Sequence, residues 1–219
     1  MPKSSGLSRP VRIAQLLRDD ILNGALVSGQ ALVEAQMVER FGVSRNTIRE
    51  AMHSLAQSGL VTVISNRGSF VRQLAPHEIR ELYMIRHLIE SGCCERVPAQ
   101  QWTALEPVFS SAFTQARSAA RNGDWLLAGT ASLLFHRLLV NACGSDQLSQ
   151  FFDTICAQMR LVFQTVADQE HLQSPWLAKD IAIFEALRAG QVKAATDLLH
   201  DYLTYSETLI FQIMTGQPT

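Results

Sequence analysis

The stretch FGVSRNTIREA, residues 41–51, decides how the chain is read. Gly42 permits a tight turn, the apolar Val43 suits the inside of that turn, and Ser44 stands where a helix N-cap is wanted. From Arg45 a helix is expected to about Ser58, with Ile48, Ala51, Met52 and Leu55 on one buried face. Arg45, Asn46, Thr47 and Arg49 are then left on the exposed first turn. Just upstream, Glu34 to about Phe41 reads as a short helix stopped by Gly42. Two helices separated by a three-residue turn form a helix-turn-helix, whose second helix enters the major groove of DNA by its N-terminal turn. Arginine offers a planar fork to guanine O6 and N7, and Asn46 can read adenine or touch a phosphate. Ser44 and Thr47 bring short hydroxyls to phosphate oxygens at the positive end of the helix.

Working outward, the first ten residues are polar and turn-rich and are expected to form a mobile arm. Pro10 suits the first turn of a helix, along which Ile13, Leu17 and Ile21 recur every four residues until Gly24. ALVSGQAL, residues 25–32, reads as a loop. After Gly59 the period shortens to two: LVTVIS (60–65) and SFVRQ (69–73) are strand-like runs separated by Asn66, Arg67 and Gly68. That hairpin is a wing, with Arg67 at its tip placed for the minor groove and Asn66 and Gly68 beside it. Residues 1–74 are thus expected to form a winged helix-turn-helix of three helices and a β-hairpin. From Pro76 onward the strand signal disappears. Residues 77–95, 99–121, 123–142, 146–168, 175–189 and 191–215 read as six helices, so 75–219 is expected to be an all-α antiparallel bundle in a mainly α protein.

The composition agrees with two modules. The chain has 219 residues, 47% hydrophobic and 18% charged, which excludes a disordered chain, a collagen-like repeat and a disulfide scaffold. Its net charge of −1 is an average. Residues 1–74 hold nine basic and five acidic side chains, while the rest hold ten basic and fifteen acidic. A net of +4 beside a net of −5 suits a module facing a polyanion joined to one that does not. Cys93, Cys94, Cys143 and Cys156 form no CxxC and read as core filler. With no signal-like segment and no apolar run near 18 residues, a cytoplasmic protein without membrane association is expected. No Gly-rich phosphate loop, nucleophile elbow or HExxH points to an enzyme.

The segments LVEAQMVERFGVSRNTIREAMHSLAQSGLV (32–61) and NRGSFV (66–71) resemble the winged helix of the GntR transcriptional regulators. ELYMIRHLIESG (81–92), opening a helical second domain, is similar to the FadR-like subfamily with its FCD effector domain. The resemblance implies a homodimer on a palindromic operator, with Arg45 and Arg49 reading each half-site and Glu34 positioning the reading helix. Asn46-Thr47-Ile48 departs from the threonine-proline-valine type of sequence more often found there, which bears on the base that is read. Many FCD domains hold a divalent metal with one Asp and three His. At the matching positions this chain has Ser132, His136, Asp180 and Tyr202. Hydroxyls are weak ligands at neutral pH, so neither a bound metal nor another cofactor is expected. The four side chains would instead line a polar effector pocket. Arg86, matching an arginine that commonly faces the effector, would pair a ligand carboxylate or neutralise Asp180. The expected function is a ligand-responsive regulator of transcription, with repression or activation left open. Set beside it are a winged-helix interaction scaffold without effector, and an enzyme using His136 and Asp180 as an acid–base pair.

Overall fold

A computed structural model describes residues 7–166 and 168–215, which divide into two compact units, Met1–Gln73 and Leu74–Thr219. Six residues of the expected N-terminal arm lie outside the described part, and Arg9 and Pro10, expected in that arm, belong instead to the first turn of helix α1 (Arg9–Leu22). Ile13, Leu17 and Ile21 are buried on α1, which packs against α3 (Arg45–Gln57), where Ile48, Met52 and Leu55 are buried in turn. Between them lies α2 (Glu34–Phe41), closed by Gly42 at φ 62°, a left-handed value that costs glycine little. Val43, expected inside the turn, is only half-buried. Strands β2 (Val61–Ile64) and β3 (Gly68–Val71) form the antiparallel wing, with Ile64 opposite Gly68. The loop read at 25–32 contains a strand after all. β1 (Ala31–Leu32) pairs with β3, giving a three-stranded sheet in the order β1-β3-β2. Two residues are too few to show a period of two, so the pairing has no signature in the sequence.

The second unit is helical throughout its described residues. It comprises α4 (Pro76–Arg96), α5 (Ala99–Arg121), α6 (Trp125–Asn141), α7 (Asp146–Gln164), α8 (Gln169–Gln173), α9 (Trp176–Arg188) and α10 (Val192–Thr215). The helix expected over 146–168 stops at Gln164, and the five-residue α8 is additional. An aromatic layer centred on Phe109 joins α5, α6 and α9: its ring stacks 4.4 Å from Phe184 and stands edge-on to Phe135 at 5.8 Å. The ion pair Arg137 Nε–Asp153 Oδ1, 2.7 Å, sets α6 against α7. Helix α4 buries Ile79, Leu82, Tyr83, Cys93 and Cys94, and two charged side chains share that face. It buries Arg86 and Glu90, while Met84 and Leu88 are 57% and 70% exposed.

Candidate functional site

Each unit presents one concentration of polar chemistry. In the first it is the N-terminal turn of α3. Ser44 caps that helix, its hydroxyl accepting the Thr47 N–H at 3.2 Å and lying 2.9 Å from the Thr47 hydroxyl. Both hydroxyls therefore stiffen the turn. Arg45, Asn46 and Arg49 are exposed and Thr47 is half-buried. Arg49 donates from Nε to Oε1 of Glu34 at 2.7 Å, so the first residue of α2 holds a side chain on the first turns of α3. That hydrogen bond keeps the Glu34 carboxyl below its ordinary range and raises Arg49. Asn46 donates from Nδ2 to Glu50 Oε1 at 2.6 Å, a partner that sequence reasoning missed although four-residue spacing on a helix was a signal for it. At the wing, Arg67 donates its backbone N–H to the Ile64 carbonyl at 3.0 Å, closing a turn. Asn66 occupies that turn at φ 61°, a left-handed position that asparagine tolerates, and Asn66, Arg67 and Gly68 are all exposed.

In the second unit the chemistry is buried. α4 contributes Arg86 and Glu90, α6 Ser132 and His136, α9 Asp180, and α10 Tyr202, all inside the bundle. A spacing of four residues in each case (Arg86/Glu90, Ser132/His136) places both members of each pair on one helical face. Ser132 Oγ donates to Asp180 Oδ2 at 2.9 Å and lies 3.1 Å from the Tyr202 hydroxyl. His136 Nδ1 is 2.5 Å from Glu90 Oε2, and Arg86 Nε donates to Glu90 Oε1 at 2.8 Å. Arg86 is thus paired with Glu90, not with Asp180. Sequence reasoning missed Glu90 because an arginine–glutamate pair four apart reads as a solvated helix face.

Burial pushes the Glu90 carboxyl up, but Arg86 and His136 outweigh it, and Glu90 stays below its ordinary value. Burial lowers His136 against the pull of Glu90, so the imidazole is neutral near pH 7. With its Nδ1–H directed at Glu90, its Nε2 is an acceptor. Asp180 is raised well above the carboxylate range by burial, Ser132 and Arg86 opposing. Its Oδ1 lies 3.8 Å from His136 Nε2, too far for a hydrogen bond, and neither atom has a partner among the described residues. Arg86 Nη2 is likewise unpartnered. A network built only for stability leaves few such atoms.

The donor set does not fit a divalent metal. Only His136 Nε2 and Asp180 Oδ1 are available, His136 Nδ1 is held by Glu90, and the remaining two positions are hydroxyls hydrogen-bonded to one another. Among the described residues, no three His, Cys, Asp or Glu side chains are grouped to hold one.

Three comparisons bear on these sites. Residues 10–71 match the model of bacterial regulatory proteins, gntR family, and residues 81–205 match the FCD domain. The chain is similar to the crystal structure of a GntR protein from Rhodococcus sp. RHA1, at 33% identity and TM-score 0.84 over 93% of this chain and 98% of that one. It is 27% identical over 215 residues to the galactonate operon transcriptional repressor of Escherichia coli, spanning 86% of this chain and 91% of that protein. An HTH-type transcriptional regulator of Streptomyces ambofaciens aligns at 34% over 100 residues, 46% of this chain and 42% of that protein.

Proposed function

Because the chain belongs to the gntR family of bacterial regulatory proteins and carries an FCD domain, we propose that it represses transcription by binding a palindromic operator as a homodimer, and that a small effector inside the bundle changes that binding. The observation that carries the DNA half is the first turn of α3: capped by Ser44, braced by Glu34 through Arg49, and presenting Arg45 and Asn46 to solvent. Arg45 and Arg49 read base edges, Ser44, Asn46 and Thr47 fix the register on the phosphates, and the wing residues Asn66, Arg67 and Gly68 approach the adjacent minor groove. Self-association is supported by the apolar Met84 and Leu88, one helical turn apart and exposed on α4. Repression, rather than activation, follows the similarity to the galactonate operon transcriptional repressor.

The effector half rests on the buried, unpartnered atoms of Arg86, His136 and Asp180, beside Ser132 and Tyr202. A metal-independent effector suits this donor set better than a chelated one, since two ligands cannot hold a divalent ion tightly. The protein acts in the cytoplasm, where DNA is within reach; among the described residues no helix is long and apolar enough to cross a membrane. The regulatory family leaves no role for His136 and Asp180 as a catalytic pair. Selection of tight-binding duplexes from a random pool tests the reading. Convergence on an inverted repeat is expected, and enrichment of asymmetric sites, or none, would overturn it.

A further inference from the structure

Helices α4 and α10 pack together, and three side-chain contacts run up the seam between them. The Arg80 guanidinium lies over the Phe211 ring at 4.6 Å, the Tyr83 hydroxyl is hydrogen-bonded to Ser206 Oγ at 2.5 Å, and the His87 and His200 rings stand 5.0 Å apart. Each advance along α4 is a retreat along α10, so the helices are antiparallel and their register brings the two histidines together. The first two contacts satisfy the groups that make them. The third does not. Among the described residues neither imidazole has a hydrogen-bond or ion-pair partner. His87 is half-buried and His200 exposed, away from the inner faces that carry Arg86, Glu90 and Tyr202.

The separation of the two rings is the one a shared metal ion requires. An imidazole nitrogen binds Zn²⁺ at about 2.0–2.1 Å, which puts each ring centre about 3.2 Å from the ion. Two such rings are about 4.5 Å apart at a right angle and about 5.2 Å apart at the tetrahedral angle. The observed 5.0 Å, with the ring planes tilted by 52°, falls between these limits. The last torsion of histidine is broad, and turning about it redirects the ring nitrogens while leaving the ring centres almost in place. Both rings can thus aim a lone pair at one point without moving α4 or α10. Burial and the charge of His200 lower His87 against the pull of Glu90, so its imidazole is neutral near pH 7, the form that binds a metal. Asp197, one turn before His200, is held by Lys193 at 2.8 and 3.0 Å, which leaves the other coordination positions to water.

We propose that His87 and His200 together chelate a divalent transition-metal ion of the zinc and nickel class on the surface of the bundle, in a reversible site completed by water. Imidazole suits these ions, whereas Mg²⁺ and Ca²⁺ take oxygen ligands. Two nitrogen ligands hold the ion loosely, so it exchanges with its surroundings and is not a resident cofactor. When bound, it ties α10 to α4 at a third point, beyond Arg80–Phe211 and Tyr83–Ser206. The site is separate from Ser132, His136, Asp180 and Tyr202, and neither effector nor operator enters its test.

The test is thermal unfolding of the full chain, stripped with a chelator and then given Zn²⁺ or Ni²⁺ at about 100 µM, beside Mg²⁺ and Ca²⁺ at the same concentration. Zn²⁺ or Ni²⁺ is expected to raise the wild-type midpoint by about 2–4 °C, reversed by the chelator, while Mg²⁺ and Ca²⁺ leave it unchanged. His200→Ala, on an exposed face, should unfold without metal within about 1–2 °C of wild type and lose the metal-dependent rise. His87→Gln should lose it too. His171→Ala, exposed on α8, should keep it. No rise with either ion, an equal rise with Mg²⁺ or Ca²⁺, or a rise that survives in His200→Ala or His87→Gln would each overturn the proposal. So would loss of the rise in His171→Ala, which would place the ion at that histidine instead.

Discussion

At the scale of single residues, the bundle's chemistry depends on where protons and charges are fixed. Asp180 keeps its proton because burial penalises the carboxylate more than Ser132 and Arg86 favour it. An unfolded aspartate ionises near pH ~3.9. Between that pH and its raised value the folded chain binds the extra proton, so the contribution of Asp180 to stability is full below pH ~3.9 and is lost as pH rises. Asparagine has nearly the same shape and no proton to lose. The stability of Asp180→Asn relative to wild type, followed by denaturant unfolding, should therefore grow from about pH 4 to pH 7; parallel curves would show that Asp180 is ionised when folded. At the DNA face, Ser44 as a cap and Arg45 on the exposed turn followed from their position after Gly42. That Arg49 would lean on Glu34, fifteen residues away, did not follow from spacing, and only the family resemblance drew attention to Glu34.

At the scale of elements, legibility followed periodicity. α1, α2 and α3 carry one apolar face each and end at Asn23, Gly42 and Ser58, close to where the sequence places their limits. The wing showed through its period of two and Asn66. α4 was legible as a helix, and its buried face carries Ile79, Leu82, Tyr83, Cys93 and Cys94 as apolar patterning implies; what patterning did not show is that Glu90 lies on that face and that Met84 and Leu88 lie outside it. α8 is too short for any period, so the seat of Gln173 against Gly129 of α6 was not legible. The contact between α6 and α8 yields a prediction. A methyl group at Gly129 meets the Gln173 amide inside van der Waals distance, and because that amide is the far end of a flexible side chain Gly129→Ala should turn it aside at small cost. The gain of alanine over glycine inside a helix, about 1 kcal/mol, offsets that cost, so little net change is expected in thermal unfolding. A loss of several kcal/mol would show that the Gln173 amide cannot move.

At the scale of the whole molecule, near-neutral net charge conceals a basic reading unit and an acidic sensing unit, and the operator recognition proposed above takes two copies of the first. The exposed Met84 and Leu88 offer a surface for pairing the second. Met84→Asp/Leu88→Asp should shift the chain from dimer to monomer in analytical ultracentrifugation and weaken binding to an inverted repeat more than to a single half-site. An unchanged dimer would place the interface elsewhere. The central claim is that α3 reads DNA through its first turns, and fluorescence-anisotropy titration of a selected operator with wild type and with Arg45→Ala/Arg49→Ala at fixed salt tests it most directly. Loss of two base-reading arginines, each contributing about 1–3 kcal/mol, predicts that the variant binds at least about 30-fold more weakly and scarcely distinguishes the operator from a scrambled duplex. A variant that binds the operator as tightly and as selectively as wild type would contradict the account.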